Sequence, residues 1–253
     1  MTLRVISLGW GVQSFTLVAM VALGELEPVD FAIHADTTHE YSGTYAFAAK
    51  QTPWLEVRGV KVVTVNNAQP MPELTSYKTD LPAYTWNGKT NGELKRQCTG
   101  DWKIAPMRRY IQSVRNRQPV EQWIGISLDE FQRMRDSDVK YITNRYPLVD
   151  KRMTRNDCVN WLKVHALEVP PKSSCVFCPF HNAAEWRKIK ASPVDWAEAV
   201  SVDRAIRKAR TPYDLFVHSS RKPLEDVDLR TPEEKGQMNF LDENNECSGL
   251  CFV

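Results

Sequence analysis

Short apolar runs alternate with longer mixed segments along the first half of the chain. Leu3–Ser7 is a β-favouring run that breaks at Gly9-Trp10-Gly11. Residues 14–26 are almost continuously apolar over about three turns, and Gly24 is a stop signal, which predicts a buried helix. A second strand is predicted over 29–35, a helix over 41–51 and a third strand over 60–65. Short buried strands separated by helices predict a parallel sheet with right-handed crossovers. Residues 66–91, rich in Pro, Asn, Thr and Gly, read as a long loop. Beyond it, the pattern predicts a helix over 104–117, a strand over 122–126 and a helix over 155–167 with Thr154 as N-cap, ended by Pro170-Pro171. Further helices are predicted over 185–189 and 194–210. Residues 224–246 carry eight acidic against two basic residues and read as a solvated, mobile strip.

Composition narrows the class. At 42% hydrophobic and 25% charged over 253 residues, the chain is globular rather than disordered or collagen-like. No apolar run reaches the roughly 18–20 residues that span a bilayer, and the N-terminus enters its first strand without a leader-like pattern. A cytoplasmic protein with no membrane partner is expected. The net charge of +2, from 33 basic and 31 acidic residues, neither favours nor excludes nucleic acid. The six cysteines are the anomaly. In a reducing compartment they point to metal ligands or reactive thiols rather than disulfides.

The first candidate chemistry lies between the first strand and helix, in Ser7-Leu8-Gly9-Trp10-Gly11-Val12-Gln13-Ser14. Glycines there let the backbone approach an anion, and the following helix start offers unpaired N–H groups and a positive dipole end. The Gly-Lys-Ser/Thr ending of a Walker loop is missing and the spacing is not GxGxxG, so taken alone the segment also reads as a plain tight turn. In context it resembles the PP-loop of the ATP-pyrophosphatase superfamily, SGGxDS. Residues 11–14 match its second half, with Gly9 and Trp10 in place of the first Ser-Gly. Asp36-Thr37-Thr38-His39 followed by Thr44-Tyr45 is similar to the DTG…ETY pattern of the phosphoadenylyl-sulfate (PAPS) reductase branch. RQCTGDWKIAPMRRY (96–110) looks like that branch's C…KxxPLRR segment. WIGISLDEFQRMR (123–135) looks like its GxRxxES…R segment, with Ser127 where arginine is common, and 146–162 is similar to its PL-x-x-W-T-x-x-D stretch. The match runs from about residue 3 to 181 and resumes at the C-terminus.

The resemblance implies a Rossmann-like α/β fold of the adenine nucleotide alpha-hydrolase type, with a C-terminal cysteine-containing helical extension. It divides the chain into a nucleotide-binding core over 1–165 and a cysteine-containing region with an acidic tail over 166–253, as two parts or one continuous domain. It assigns adenine-nucleotide binding to Ser7, Gly9, Gly11, Val12, Gln13, Ser14, Asp36, Thr37, Gly125 and Arg133.

Cys175-Val176-Phe177-Cys178-Pro179 is a CxxC followed by proline, which presents two thiolates to one metal from a tight turn and recurs in iron–sulfur ligation. A lone CxxC also reads as a redox pair. Cluster-bearing members of the resembling family place a cysteine pair at a separation like that of Cys98 from Cys175; here residue 97 is Gln. The expectation is a 4Fe-4S cluster on Cys98, Cys175 and Cys178, with Cys247 or Cys251 as fourth ligand or an open site. The alternative is structural zinc, with His181 or a tail cysteine completing the set. Cys158, on a predicted amphipathic helix, reads as a buried small hydrophobe. The ending Glu246-Cys247-Ser248-Gly249-Leu250-Cys251 resembles the ECGLH tail of sulfonucleotide reductases, with one serine inserted and cysteine replacing histidine. It nominates Cys247 and Cys251, with Ser14, as catalytic. Basic residues crowd 95–117 and 133–155, and as a group suit a nucleotide's phosphates or a nucleic-acid backbone.

Three functions follow from the resemblance. In the first, ATP with Mg adenylates an acceptor oxygen and sulfur displaces AMP, as in the DNA-phosphorothioation and tRNA-thiolation branches, with nucleic acid as the expected acceptor. In the second, PAPS or its adenylyl-sulfate analogue (APS) is itself the substrate and Cys247 attacks its sulfur. In the third, the chain is a non-catalytic nucleotide- or nucleic-acid-binding subunit with structural zinc. A sulfur- or electron-donor protein and a second copy of the chain complete the expected partners.

Overall fold

A computed structural model describes residues 2–66, 81–210, 212–231 and 234–235. In chain order the strands are β1 (Leu3–Ser7), β2 (Phe31–Asp36), β3 (Val62–Asn66), β4 (Tyr84–Trp86), β5 (Asn91–Glu93), β6 (Val120–Ile124), β7 (Ile142–Arg145) and β8 (Asp214–Phe216). The α-helices are α1 (Val12–Ala22), α2 (Ser42–Glu56), α3 (Ala105–Val114), α4 (Pro147–Asp150), α5 (Arg155–Val164), α6 (Ala183–Lys190) and α7 (Pro193–Ile206). The described residues form two compact units, one built from 2–66 and 100–173, the other from 81–99 and the described residues after 173.

The first unit is a five-stranded sheet in the order β3-β2-β1-β6-β7, every neighbouring pair parallel. Its strands are short and β1 and β2 bury both faces, as parallel strands covered by helices do. Successive residues supply opposite cores. Ile6 and Ala32 join α1, Phe47 and Leu55 of α2, and Cys158 and Leu162 of α5. Val5, Phe31 and Ile33 face the other way, onto Met107 and Ile111 of α3. Helices therefore flank the sheet on both sides, the Rossmann-like α/β layering that the sequence predicts. The order doubles back at β1, which neighbours β2 on one side and β6 on the other. This is a topological switch point, where open α/β sheets take ligands beyond their strands' carboxyl ends.

The second unit holds the antiparallel sheet β5-β4-β8 together with α6 and α7. The loop predicted over 66–91 is thus partly strand, because β4 pairs with β5 and β8 over only three residues each, too few to show a period of two; residues 67–80 lie outside the described set. Residues 81–99 pack with the second unit, and the first unit runs to Ser173. The helix predicted from 104 is preceded by a π-helical stretch, Thr99–Ile104. Thr154 caps α5 through a capping box with Asp157. The acidic strip expected to be mobile begins instead with a 3-10 turn, Leu224–Asp226. Its Leu224, Val227 and Leu229 are buried, and buried Asp203 receives the amides of Val217 and Leu224.

Candidate functional site

The loop after β1 sits at the switch point and is held from several sides. Trp10 adopts a left-handed backbone at φ 58°, a conformation glycine ordinarily supplies. Its side chain is 1% exposed and lies against Phe15, His34 and Phe47. The tryptophan that departs from the family pattern is therefore a core plug under the loop. Gly11 is the N-cap of α1 and no side chain caps the helix. The amides of Val12, Gln13 and Ser14 are its N-terminal donors, and no acid occupies its first turn. Ser14 Oγ accepts the Gly9 amide at 3.2 Å and donates to the Gly11 carbonyl at 3.2 Å, closing the loop on itself.

Gly125, just past β6, packs against this helix start. A Cβ there would lie 2.7 Å from both the Cα and the N of Ser14 and 3.0 Å from the Gln13 carbonyl carbon. Only glycine lets the two backbones meet so closely. Gln13 turns its amide towards the next segment, donating to Ser127 Oγ at 3.4 Å and Glu130 Oε2 at 3.2 Å. Glu130 pairs through its other oxygen with Arg133 at 2.8 Å, and burial pushes its carboxyl above the ordinary value. Arg133, expected among the nucleotide ligands, is thus turned inward and reaches the loop through Glu130 and Gln13. Ser127, where the resembling branch commonly has arginine, is fully buried under the same contact.

The end of β2 supplies the second wall. Asp36 Oδ1 accepts the Thr38 amide at 2.7 Å and the Tyr45 hydroxyl at 2.8 Å. Burial first, then this bond, raises the Tyr45 phenol far above its ordinary value. Thr37 is 1% exposed and its hydroxyl accepts the His39 amide. Ser7 donates to the Met107 sulfur. His34 Nδ1 donates to the Leu8 carbonyl at 3.0 Å; burial lowers its pKa and keeps the ring neutral.

Glu40 is a residue that the sequence motifs did not single out. Its side chain has no exposed surface, and Lys103 Nζ lies 3.0 Å from Oε1, while Ser173 Oγ donates to Oε2 at 3.1 Å. Ser173 also adjoins the loop, its Cβ 3.9 Å from where a Gly11 Cβ would be. The available signal was an acid four residues after Asp36 together with the lysine of the KxxP segment. A cleft of about 370 Å³ opens at the end of β3, lined by Thr64, Val65, Asn66, Pro106 and Arg109.

In the second unit, Cys175 and Cys178 leave a single hydrogen-bonded turn and are partly buried, as is Cys98. Among the described residues, no three His, Cys, Asp or Glu side chains are grouped to hold a metal ion. Cys175 and Cys178 supply two thiols from one turn, half of a four-ligand set, to which the expected metal site adds Cys98 and a cysteine of the tail. Cys247 and Cys251 lie outside the described residues. Cys158 is fully buried, and burial pushes its thiol up to about 12. No described helix is long and apolar enough to cross a membrane.

Fold and site together define a parallel α/β protein whose switch-point loop presents an uncapped helix N-terminus. No family model matches the chain, and no curated protein does. Among solved structures it is similar to a phosphate complex of phosphoadenylyl-sulfate (PAPS) reductase from Candida auris, at 12% identity over 67% of this chain and 76% of that one, with a TM-score of 0.46.

Proposed function

We propose that the chain is a PP-loop enzyme of the PAPS reductase-like group that binds an adenine nucleotide and uses it for sulfur transfer. The observation that carries this reading is the switch-point loop. The amides of Val12, Gln13 and Ser14 stand at the start of α1 with no side-chain cap, and Gly125 packs against that backbone without a side chain. Such a helix start takes phosphate groups through N–H donors and the dipole. The ordered motifs after it, from Asp36-Thr37 to the C-terminal Glu246-Cys247, favour sulfur chemistry over other uses of an anion cradle.

In this reading ATP and magnesium bind with phosphates on the loop, and an oxygen of the acceptor, a nucleic acid, attacks the α-phosphorus. Pyrophosphate leaves and the acceptor carries AMP as a leaving group. The loop donors stabilise charge developing on the phosphates. A terminal sulfur carried as a persulfide on Cys247, received from a donor protein, then displaces AMP. The Cys251 thiolate attacks the resulting disulfide at the Cys247 sulfur, releasing the thiolated acceptor and leaving a Cys247–Cys251 disulfide for a dithiol reductant. No step is routed through an iron–sulfur cluster; Cys98, Cys175 and Cys178, with Cys247 or Cys251, would hold one.

The test is incubation of the full chain with α-labelled ATP, magnesium, nucleic acid and a persulfide donor. AMP, pyrophosphate and sulfur incorporated into the nucleic acid are expected. Sulfite released from PAPS or APS with a dithiol reductant, and abolished in Cys247→Ser, replaces sulfur transfer by reduction. Nucleotide binding with neither reaction refutes an enzymatic role. Iron and acid-labile sulfide analysis of anaerobically purified protein decides the cluster, against one equivalent of zinc.

A further inference from the structure

The stretch that follows β6 carries an exposed apolar ridge, held rigidly beside the switch-point loop. It is a 3-10 helix, Leu128–Arg133, and in such a helix residues three apart eclipse one another. Leu128 and Phe131 therefore share one edge, and they are 36% and 61% exposed. Their polar neighbours are taken up by the fold. Asp129 Oδ1 accepts the Arg155 amide at 3.0 Å, and Glu130 accepts Gln13 Nε2 at 3.2 Å and pairs with Arg133. The Leu128 amide donates to the Met153 carbonyl at 2.7 Å and the Met134 amide to the Phe131 carbonyl at 3.0 Å. The Tyr146 hydroxyl accepts the Arg135 amide at 2.9 Å and donates to the Arg135 carbonyl at 2.5 Å. The ridge is thus pinned at both ends while its apolar edge faces water.

The Leu128–Met153 bond brings the turn after α4 against this ridge. That turn exposes Lys151 and Arg152, and among the described residues neither enters an ion pair. The acids around them are engaged, Asp150 with Arg145 and Asp157 in the capping box of α5. An aromatic face in water beside two uncommitted cations is the composition that takes single-stranded nucleic acid. Bases stack on the ring and phosphates meet the cations, whereas a duplex keeps the faces of its bases covered. In the GxRxxES pattern that this stretch resembles, Phe131 stands at the serine, so the ring is this chain's own addition. We propose that Leu128, Phe131, Lys151 and Arg152 form a docking ridge for a single-stranded segment of the nucleic-acid acceptor, with one base stacked on Phe131. Glu130, the residue before the ring, touches Gln13 of the loop, so a strand on the ridge passes beside the place where the acceptor is needed. The proposal rests on the acceptor being a nucleic acid, and it is tested without nucleotide or sulfur donor.

The experiment follows the fluorescence anisotropy of a labelled single-stranded oligonucleotide of about 12 nucleotides, within the span of one binding module, on the full chain at several salt concentrations. Phe131→Ala is expected to weaken binding about 5- to 100-fold, the range of one lost base–aromatic stack, and Phe131→Tyr to stay within about twofold. The double variant Lys151→Ala/Arg152→Ala should also bind more weakly. Its slope of log affinity against log salt should be shallower by about 1.4, two phosphate contacts on a single strand. Phe131→Ala at parent affinity overturns the ridge and leaves the nucleic-acid acceptor standing. A parent that binds no oligonucleotide sinks the acceptor, and the ridge with it. A duplex of the same sequence bound as tightly as the single strand also overturns the proposal. If the parent sediments as a dimer that Phe131→Ala separates into monomers, the ridge belongs to a second copy and the proposal falls. Should Phe131→Ala not fold, the double variant decides alone, and an unchanged salt slope there overturns it.

Discussion

Gly125→Ala probes the meeting of loop and sheet on which the proposed function depends. The added methyl would sit 2.7 Å from Ser14 Cα and N and 3.0 Å from the Gln13 carbonyl carbon, against a comfortable separation of about 3.5–4.0 Å. The end of β6 and the start of α1 must therefore part by roughly 0.8 Å. Neither side is a flexible side-chain tip that swings away, so the strain falls on backbone, at about 1–3 kcal/mol for an overpacked site. The Ser14 amide moves or is covered, and one charge-assisted bond to a phosphate, worth about 1.5–3 kcal/mol, is lost. ATP affinity is expected to fall about 10- to 100-fold, with a lowered denaturant midpoint. The measurements are calorimetric titration of ATP and equilibrium urea unfolding. Gly100→Ala is the control, because a Cβ there meets nothing within 4 Å and alanine is favoured over glycine in a helix. If Gly125→Ala binds ATP within twofold of the parent at unchanged stability, the reasoning about this contact is refuted.

Three more outcomes are expected. Lys103→Met strands the carboxylate of Glu40, whose side chain is unexposed; a cost of about 2–3 kcal/mol, trimmed for the lysine's partial exposure, should appear in urea unfolding. Most of it should return in the Lys103→Met/Glu40→Leu double variant, and a single variant as stable as the parent contradicts the pairing. Cys158 should resist iodoacetamide in the folded protein at pH 8 and react once the chain is unfolded. Its thiol is pushed from 9.0 to about 12 by burial, so the unfolded chain loses the proton first and stability declines as pH rises from about 9 towards 12. His34 has the opposite sense: burial lowers its pKa from 6.5, so the unfolded chain takes up a proton that the native one refuses. Stability should fall as pH drops below about 6.5, with His218, lowered likewise by burial, adding to the slope. His34→Gln should flatten that decline, and an unchanged slope would show that His34 does not cause it.

What the sequence shows most clearly is whatever repeats or keeps to one short stretch. The strands of the parallel sheet are apolar on both faces and flanked by helix-forming segments, so β1, β2, β3 and β6 are legible to within two residues at either end. β7 and β8 are not, because Ile142–Arg145 and Asp214–Phe216 are too short and mixed to show a period, and pairing with distant strands makes them strands. The switch-point loop is legible from its glycines, but not the part Trp10 plays in it. A tryptophan between glycines looks like an interruption until the fold turns it into the core. Gly125 and Arg133 were picked out as ligands by position in a motif. Packing adds a close backbone contact at the first and an ion pair with Glu130 at the second, neither of which a motif shows. Glu40 was invisible because its partners, Lys103 and Ser173, are 63 and 133 residues away, distances that no local pattern spans.

The tryptophan beneath the loop has a further consequence. A glycine-built loop can loosen while the domain under it stays intact, and its flexibility can then drift independently over generations. With Trp10 at 1% exposure among Phe15, His34 and Phe47, the segment from Gly9 to Ser14 opens only if the interior gives way. Its amides should therefore exchange with solvent by the same global opening as those of β1 and β2. Under the proposed function, nucleotide recognition and folding become one cooperative event in this domain, and mutations that retune one are selected through the other.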